Sequence, residues 1–216
     1  MARRIAKGAE APYHHGALRD ALLAAAESLL SDVGLEGFTL RECARRAGVS
    51  HGAPAHHFGD VRGLLTAFAA QSFDQLEALT RAYMDAARPG AYERLVANGL
   101  AYLDYALAHP ARFRLMFRSE RLDDRSEALQ QSATGVLRHF ESCMRGVLDA
   151  AGRPESDLTA CTTLAWTLVH GLATLMLDNR MFARQVGERE QAQNRFIEMM
   201  QMTRSVFEGK LPTRRT

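Results

Sequence analysis

Three histidines, His51, His56 and His57, lie within seven residues and would be the first candidates for a metal site. Their spacing of five and one does not bring all three to one helical face, and no cysteine flanks them, so no metal is expected. Cys143 and Cys161 could be assembled with His139 and His170 into a cysteine nucleophile and its base. Nothing supplies a third, orienting member or an oxyanion hole, so no catalytic residues are assigned and no enzyme is read here. What remains is hydrogen-bonding chemistry. Thr39, Arg41, Arg45, Arg46 and Ser50 precede the histidines closely, a set suited to phosphate oxygens and base edges.

The chain of 216 residues is 47% apolar and 24% charged, which places it among globular proteins and excludes a disordered or fibrous one. A net charge of +2 excludes a protein that holds nucleic acid by bulk positive charge. The N-terminal nineteen residues contain no apolar run, so no secretory signal is read. Three widely spaced cysteines fit a reducing cytoplasm rather than a disulfide framework. Residues 158–177 carry no Asp, Glu, Lys or Arg, but five threonines, a histidine and a glycine dilute them. That segment reads as a buried or interface helix, not a membrane span.

Apolar residues recur at spacings of three and four throughout, and the fold class is all-α. Leu18, Leu22, Ala26, Leu29, Leu30 and Val33 mark the inward stripe of a first helix that Gly34 ends. Thr39-Leu40-Arg41-Glu42 is a capping box, with Phe38 and Cys43 placed as a hydrophobic staple. Ser50 and Asp60 are read as two further N-caps. Three helix starts within 22 residues leave two helices of little more than two turns, too short to stand alone in water. Joined by the tight turn Ala47-Gly48-Val49, they form the pattern of a helix-turn-helix. Longer helices are predicted at about 60–88, 91–109, 127–151, 155–179 and 188–207, with a short one at 111–117 and a boundary near residue 62.

Residues 13–65, running from Tyr13-His14-His15-Gly16 through Gly37-Phe38-Thr39-Leu40-Arg41-Glu42-Cys43-Ala44-Arg45-Arg46-Ala47-Gly48-Val49-Ser50 to Asp60, closely resemble the DNA-binding domain of the tetracycline-repressor (TetR) family. His109-Pro110-Ala111-Arg112-Phe113 and Trp166-x-x-x-His170-Gly171 are similar to one class of that family's effector domains, named for its Trp…His-Gly motif. The resemblance implies a flexible basic arm (1–15), a three-helix DNA-binding domain (16–62), a helical effector-binding and dimerisation domain (63–208) and a loose tail (209–216). It implies a homodimer on a palindromic double-stranded operator, released by a small-molecule effector, with no cofactor and no membrane. Thr39 would meet a phosphate. Ser50, His51, Gly52 and Ala53 would lie nearest the bases, with His56 and His57 at the groove wall. Two positions depart from the family pattern, Ala55 for a usual Tyr and Val61 for a usual Lys, so either Arg41, Arg45 or the Arg3-Arg4-x-x-Lys7 arm compensates or the affinity for DNA is weaker.

Beyond the motif, Tyr102, Tyr105, Phe113, Met116, Phe117, His139, Phe140, Cys143, Trp166 and His170 are candidates to line a ligand pocket. Trp166 and His170, one turn apart, either line that pocket or pack as an interior pair. Leu168, Leu172, Leu175, Ile197, Met200 and Phe207 are candidates for a four-helix dimer interface. Two rival readings are an enzyme using the helical cavity and an effector-blind nucleoid protein.

Overall fold

A computed structural model of the chain describes residues 13–178 and 189–209, with side chains from residue 16 onward. The predicted basic arm with Arg3, Arg4 and Lys7, the side chains of His14 and His15, and the tail beyond Gly209 lie outside the described residues.

Every regular element among the described residues is helical. The order is α1 (Tyr13–Val33), α2 (Leu40–Ala47), α3 (Ala53–Phe58), α4 (Val61–Asp85), α5 (Ala91–Ala108), α6 (Pro110–Met116), α7 (Glu127–Ala150), α8 (Leu158–Leu177) and α9 (Arg189–Phe207). Single 3-10 turns at Ser119–Arg121 and Glu155–Asp157 precede α7 and α8.

The first helix buries Leu22, Leu23, Ala26, Leu29 and Leu30. Val33, expected on that stripe, is 46% exposed, because the chain turns away at the left-handed Gly34. Thr39 caps α2 by accepting a hydrogen bond from the Glu42 amide at 3.2 Å. The reciprocal arm of the capping box is not made, since the Glu42 carboxylate is taken by Arg45 and Arg46. At the other end, Val49 donates to the Ala44 carbonyl and Gly48, at φ 69°, to that of Arg45, which is the Schellman stop.

The start of α3 differs from expectation. Ser50 is not an N-cap; it sits in the turn, and the helix begins at Ala53 with Gly52 as its cap. Pro54 is the cause. A helix capped by Ser50 would need the residue-54 amide to donate to the Ser50 carbonyl, and proline has no N–H. That carbonyl accepts from Ala53 instead, and His56 donates to Gly52 to open the helix. Pro54 turns inward and is buried.

Asp60 caps α4 through the Gly63 amide at 2.8 Å. The helix then runs 25 residues, its first turns against α1 and α3 and the rest against α5, α6 and α7. One apolar core therefore extends from the N-terminal three helices into the larger body. There α4, α5 and α7 form the centre, with α8 and α9 packed on α5. Gly99 of α5 is required by that packing, since a Cβ there would lie 2.2 Å from the Phe196 ring of α9.

The interface candidates divide. Leu172, Met200 and Phe207 are fully buried in the subunit's own core and face no partner; the wholly uncharged α8 gave no sequence signal of its inward rotation. Leu168 and Ile197 are half-buried, and Leu175 is exposed. The solvent-facing stripe of α8 is instead Ala160, Leu164, Thr167, Thr174 and Leu175. Residues 155–177 have the length and hydropathy of a membrane span, yet their inner face packs on α5, α7 and α9.

Candidate nucleic-acid interface and cavity

Helices α2 and α3 meet at the Gly48 turn, with Cys43 and Ala44 buried beneath them. The Cys43 thiol donates to the Leu22 carbonyl of α1 at 3.4 Å, and burial pushes its pKa up to about 11, so it is a structural thiol. The outer surface carries Thr39 and Arg41 on α2 and Ser50, His51, Gly52, Ala55 and His56 around α3, all exposed. Ala53 and His57 are half-buried on the flank.

The arginines are not equivalent. Arg46 reaches back to Asp32 at 2.5 Å and Ser28 at 2.9 Å, fixing α2 onto α1. Arg45 forms a two-point pair with Glu42 at 2.8 and 2.6 Å, and the two guanidiniums hold that carboxyl at a pKa of about 2. Arg41 makes no ion pair with any described residue. On this face, its charge is the one most open to an incoming anion.

Helix α6 is bound to α1 by a residue that sequence reasoning missed. Arg112, with its side chain 6% exposed, grips Glu27 through Nε–Oε1 at 2.8 Å and a terminal nitrogen to Oε2 at 2.6 Å. Its guanidinium also lies 4.3 Å from the centre of the Phe68 ring on α4. The hydrogen bonds from Arg112, reinforced by His109, hold the Glu27 carboxyl below its ordinary range. Nearby, Arg62 donates to the Leu122 carbonyl at 2.8 Å, and Thr66 accepts from the Asp123 amide at 2.8 Å. The base of α4 is thus tied to the loop after α6.

A cavity of about 280 Å³ opens between α4, α5, α7 and α8. Phe73 and Leu76 of α4, Asn98 and Tyr102 of α5, and Trp166 and Val169 of α8 form three walls. Helix α7 closes the fourth with Ala133, Val136, Leu137 and Phe140, and Phe117 stands at one end. A second cavity of about 230 Å³ lies beyond Phe117, lined by Phe113, His170, Arg114, Arg118 and Glu120 among others. Tyr102 and His170 join the two through a 2.7 Å hydrogen bond at Nδ1. Burial raises the tyrosine pKa and lowers that of His170, so both groups favour their neutral forms.

Of the predicted pocket residues, Tyr102, Phe117, Phe140 and Trp166 line the main cavity, and Phe113 and His170 the second. Trp166 is 44% exposed and so lines the cavity mouth rather than packing inside. Four residues line neither cavity. Tyr105 donates to Gln75 and packs against His109 with the rings tilted by 43°. Met116 is buried beneath α6. His139 accepts from Arg81 and lies 3.2 Å from Glu77. Cys143 rests on the Met84 sulfur. A helix rotation of one residue separates lining from core, and residue type does not encode it. Asn98 was missed although it carried a signal, a lone amide on the apolar face of Leu95, Tyr102 and Tyr105.

Residues 22–68 match the family described as bacterial regulatory proteins, tetR family. Residues 95–200 match the Tetracyclin repressor-like, C-terminal domain. The chain is 31% identical over 160 residues to the HTH-type transcriptional regulator BetI of Cronobacter sakazakii, covering 73% of this chain and 75% of that one. A solved protein of unknown function from Rhodococcus sp. RHA1 superposes with a TM-score of 0.73 at 29% identity, over 94% of this chain and 100% of that one. The fold is shared with a bacterial regulatory protein in the TetR family from Rhodococcus RHA1, at a TM-score of 0.66 and 19% identity over 85% and 94% of the two chains. The helix-turn-helix and the helical body are thus matched by family models across most of the chain, and the chain belongs to the TetR family of DNA-binding transcriptional regulators, which are not enzymes.

Proposed function

We propose that the protein is a cytoplasmic homodimeric repressor that grips a palindromic operator and lets go when a small molecule enters the cavity between α4, α5, α7 and α8. The observation that carries this reading is the continuity of α4. It is capped directly after α3, and Phe73 and Leu76 of the same helix line the cavity. Twelve residues of helix, about 18 Å, connect the two. A ligand that displaces the middle of α4 therefore re-aims α3.

In this reading the chain divides into an arm (1–15), a DNA-binding domain (16–62), an effector and dimerisation domain (63–208) and a tail (209–216). Thr39 and the free amides of the α2 N-terminus meet a phosphate, with Arg41 beside them and Arg45 supplying what Glu42 leaves of its charge. Ser50, His51, Gly52 and Ala53 approach base edges, and His56 and His57 line the groove wall. The exposed α8 stripe of Ala160, Leu164, Thr167, Thr174 and Leu175 pairs with its copy, since an uncharged face with small residues permits close helix approach. Selection from random-sequence duplexes with the full chain tests the proposal. It should enrich an inverted repeat whose half-sites lie about 34–36 Å, or a multiple, apart. A pool with no repeat after selection would overturn it.

A further inference from the structure

The cavity that α4 lines carries chemistry selective enough to name the class of molecule it takes. Its wall offers no Asp, Glu, Lys, Arg or His; Asn98 and Tyr102 supply the acceptor oxygens among the lining side chains, and Trp166 adds an indole N–H. An ion entering it would lose its water without meeting an opposite charge. Aromatic rings dominate the remainder, with Phe73, Phe117, Phe140 and Trp166 presenting faces and edges. Phe117, Leu137 and Trp166 are 37%, 50% and 44% exposed, although large apolar side chains are usually buried. All three belong to this cavity's lining, so a large apolar rim is left open to solvent at its mouth. An apolar cavity of about 150 Å³ holds one benzene. The 280 Å³ here corresponds to a ligand of about two rings.

The two polar groups differ in what they can still accept. The Tyr102 hydroxyl is engaged with His170 at 2.7 Å. Asn98 is only 6% exposed, and its amide nitrogen donates to the Met84 thioether at 3.5 Å. A thioether has no hydrogen to give, which fixes the amide with its nitrogen toward Met84. The Asn98 carbonyl oxygen then accepts from no described residue, and it is not among the fully enclosed polar atoms, so it is open to the cavity that Asn98 lines. It is free to accept from a donor on the ligand.

Resting on the effector-site reading above, we propose that the cavity takes an uncharged aromatic compound of about two rings bearing one O–H or N–H donor, which hydrogen-bonds to the Asn98 carbonyl. The probes are 2-naphthol, neutral at pH 7, its methyl ether 2-methoxynaphthalene, which lacks the donor, and 2-naphthoate, which is an anion. Calorimetric titration of the full-length protein without DNA should give 2-naphthol an advantage of at least about tenfold over each of the others. Asn98→Leu should abolish the advantage of naphthol over its ether while the ether still binds. Leu137→Trp, a substitution at the exposed mouth that spares the core, should weaken both. Equal affinity for naphthol and its ether would overturn the donor assignment. Naphthoate binding as tightly as naphthol would overturn the neutral class, and failure of every probe would overturn the aromatic site. None of these results touches the operator reading, which the selection experiment tests independently.

Discussion

Thr39 has one side-chain oxygen for two tasks. It accepts from the Glu42 amide to start α2, and in the proposed complex its hydroxyl hydrogen remains available to a phosphate. Thr39→Ala should therefore cost about 1 kcal/mol in urea unfolding, the usual worth of an N-cap, and should weaken operator binding further. Thr39→Ser should restore both. The histidines of α3 make a second residue-scale prediction. His51 and His56 are exposed on the face assigned to DNA. His51→Ala and His56→Ala should each weaken operator binding while moving the urea midpoint little, as exposed substitutions do. Unchanged operator affinity in both variants would remove these histidines from the groove.

Among the elements, α6 packs on α4 and α5 and is joined to α1 of the DNA-binding domain through the Arg112–Glu27 pair. Glu27→Gln leaves the Arg112 guanidinium buried without its carboxylate. The loss should be about 1.5–3 kcal/mol, the range for a hydrogen bond to a charged group, read as a shifted urea midpoint. Because the folded Glu27 pKa is lowered, chiefly by the Arg112 hydrogen bonds, its stabilisation is full above the unfolded value of 4.5 and is lost as pH falls through the depressed one. The difference between the parent and Glu27→Gln should accordingly shrink between pH 6 and pH 3. Sequence alone revealed helix ends where side-chain chemistry marks them, at Gly34, Thr39, Gly48 and Asp60. It misplaced the start of α3 because the missing proline amide overrides a good capping residue four positions earlier. It also could not rotate α8, whose uncharged surface looks alike on every side, so Leu172 was assigned outward and proves to be core. The α1–α6 clamp was invisible because Glu27 and Arg112 lie 85 residues apart.

For the molecule as a whole, the near-neutral balance of 27 basic against 25 acidic residues persists at the candidate interface, where residues 16–62 carry five basic and six acidic groups. Arg45 and Arg46 spend charge on Glu42 and Asp32, leaving Arg41 as the arginine of α2 without an ion-pair partner among the described residues. One subunit should then bind DNA weakly and with a shallow salt dependence, useful affinity arising from two subunits held together. Thr167→Glu, on the exposed stripe of α8, should give a monomer by sedimentation, lower operator affinity at least a hundredfold, and roughly halve the slope of log affinity against log salt. The most direct test of sequence-specific regulation is the ratio of affinities for the selected inverted repeat and for a scrambled duplex of the same length, at 0.15 M salt. Specific sites gain about a thousandfold or more, and the arrangement of α2 and α3 predicts a ratio in that range. A ratio below about tenfold would contradict it.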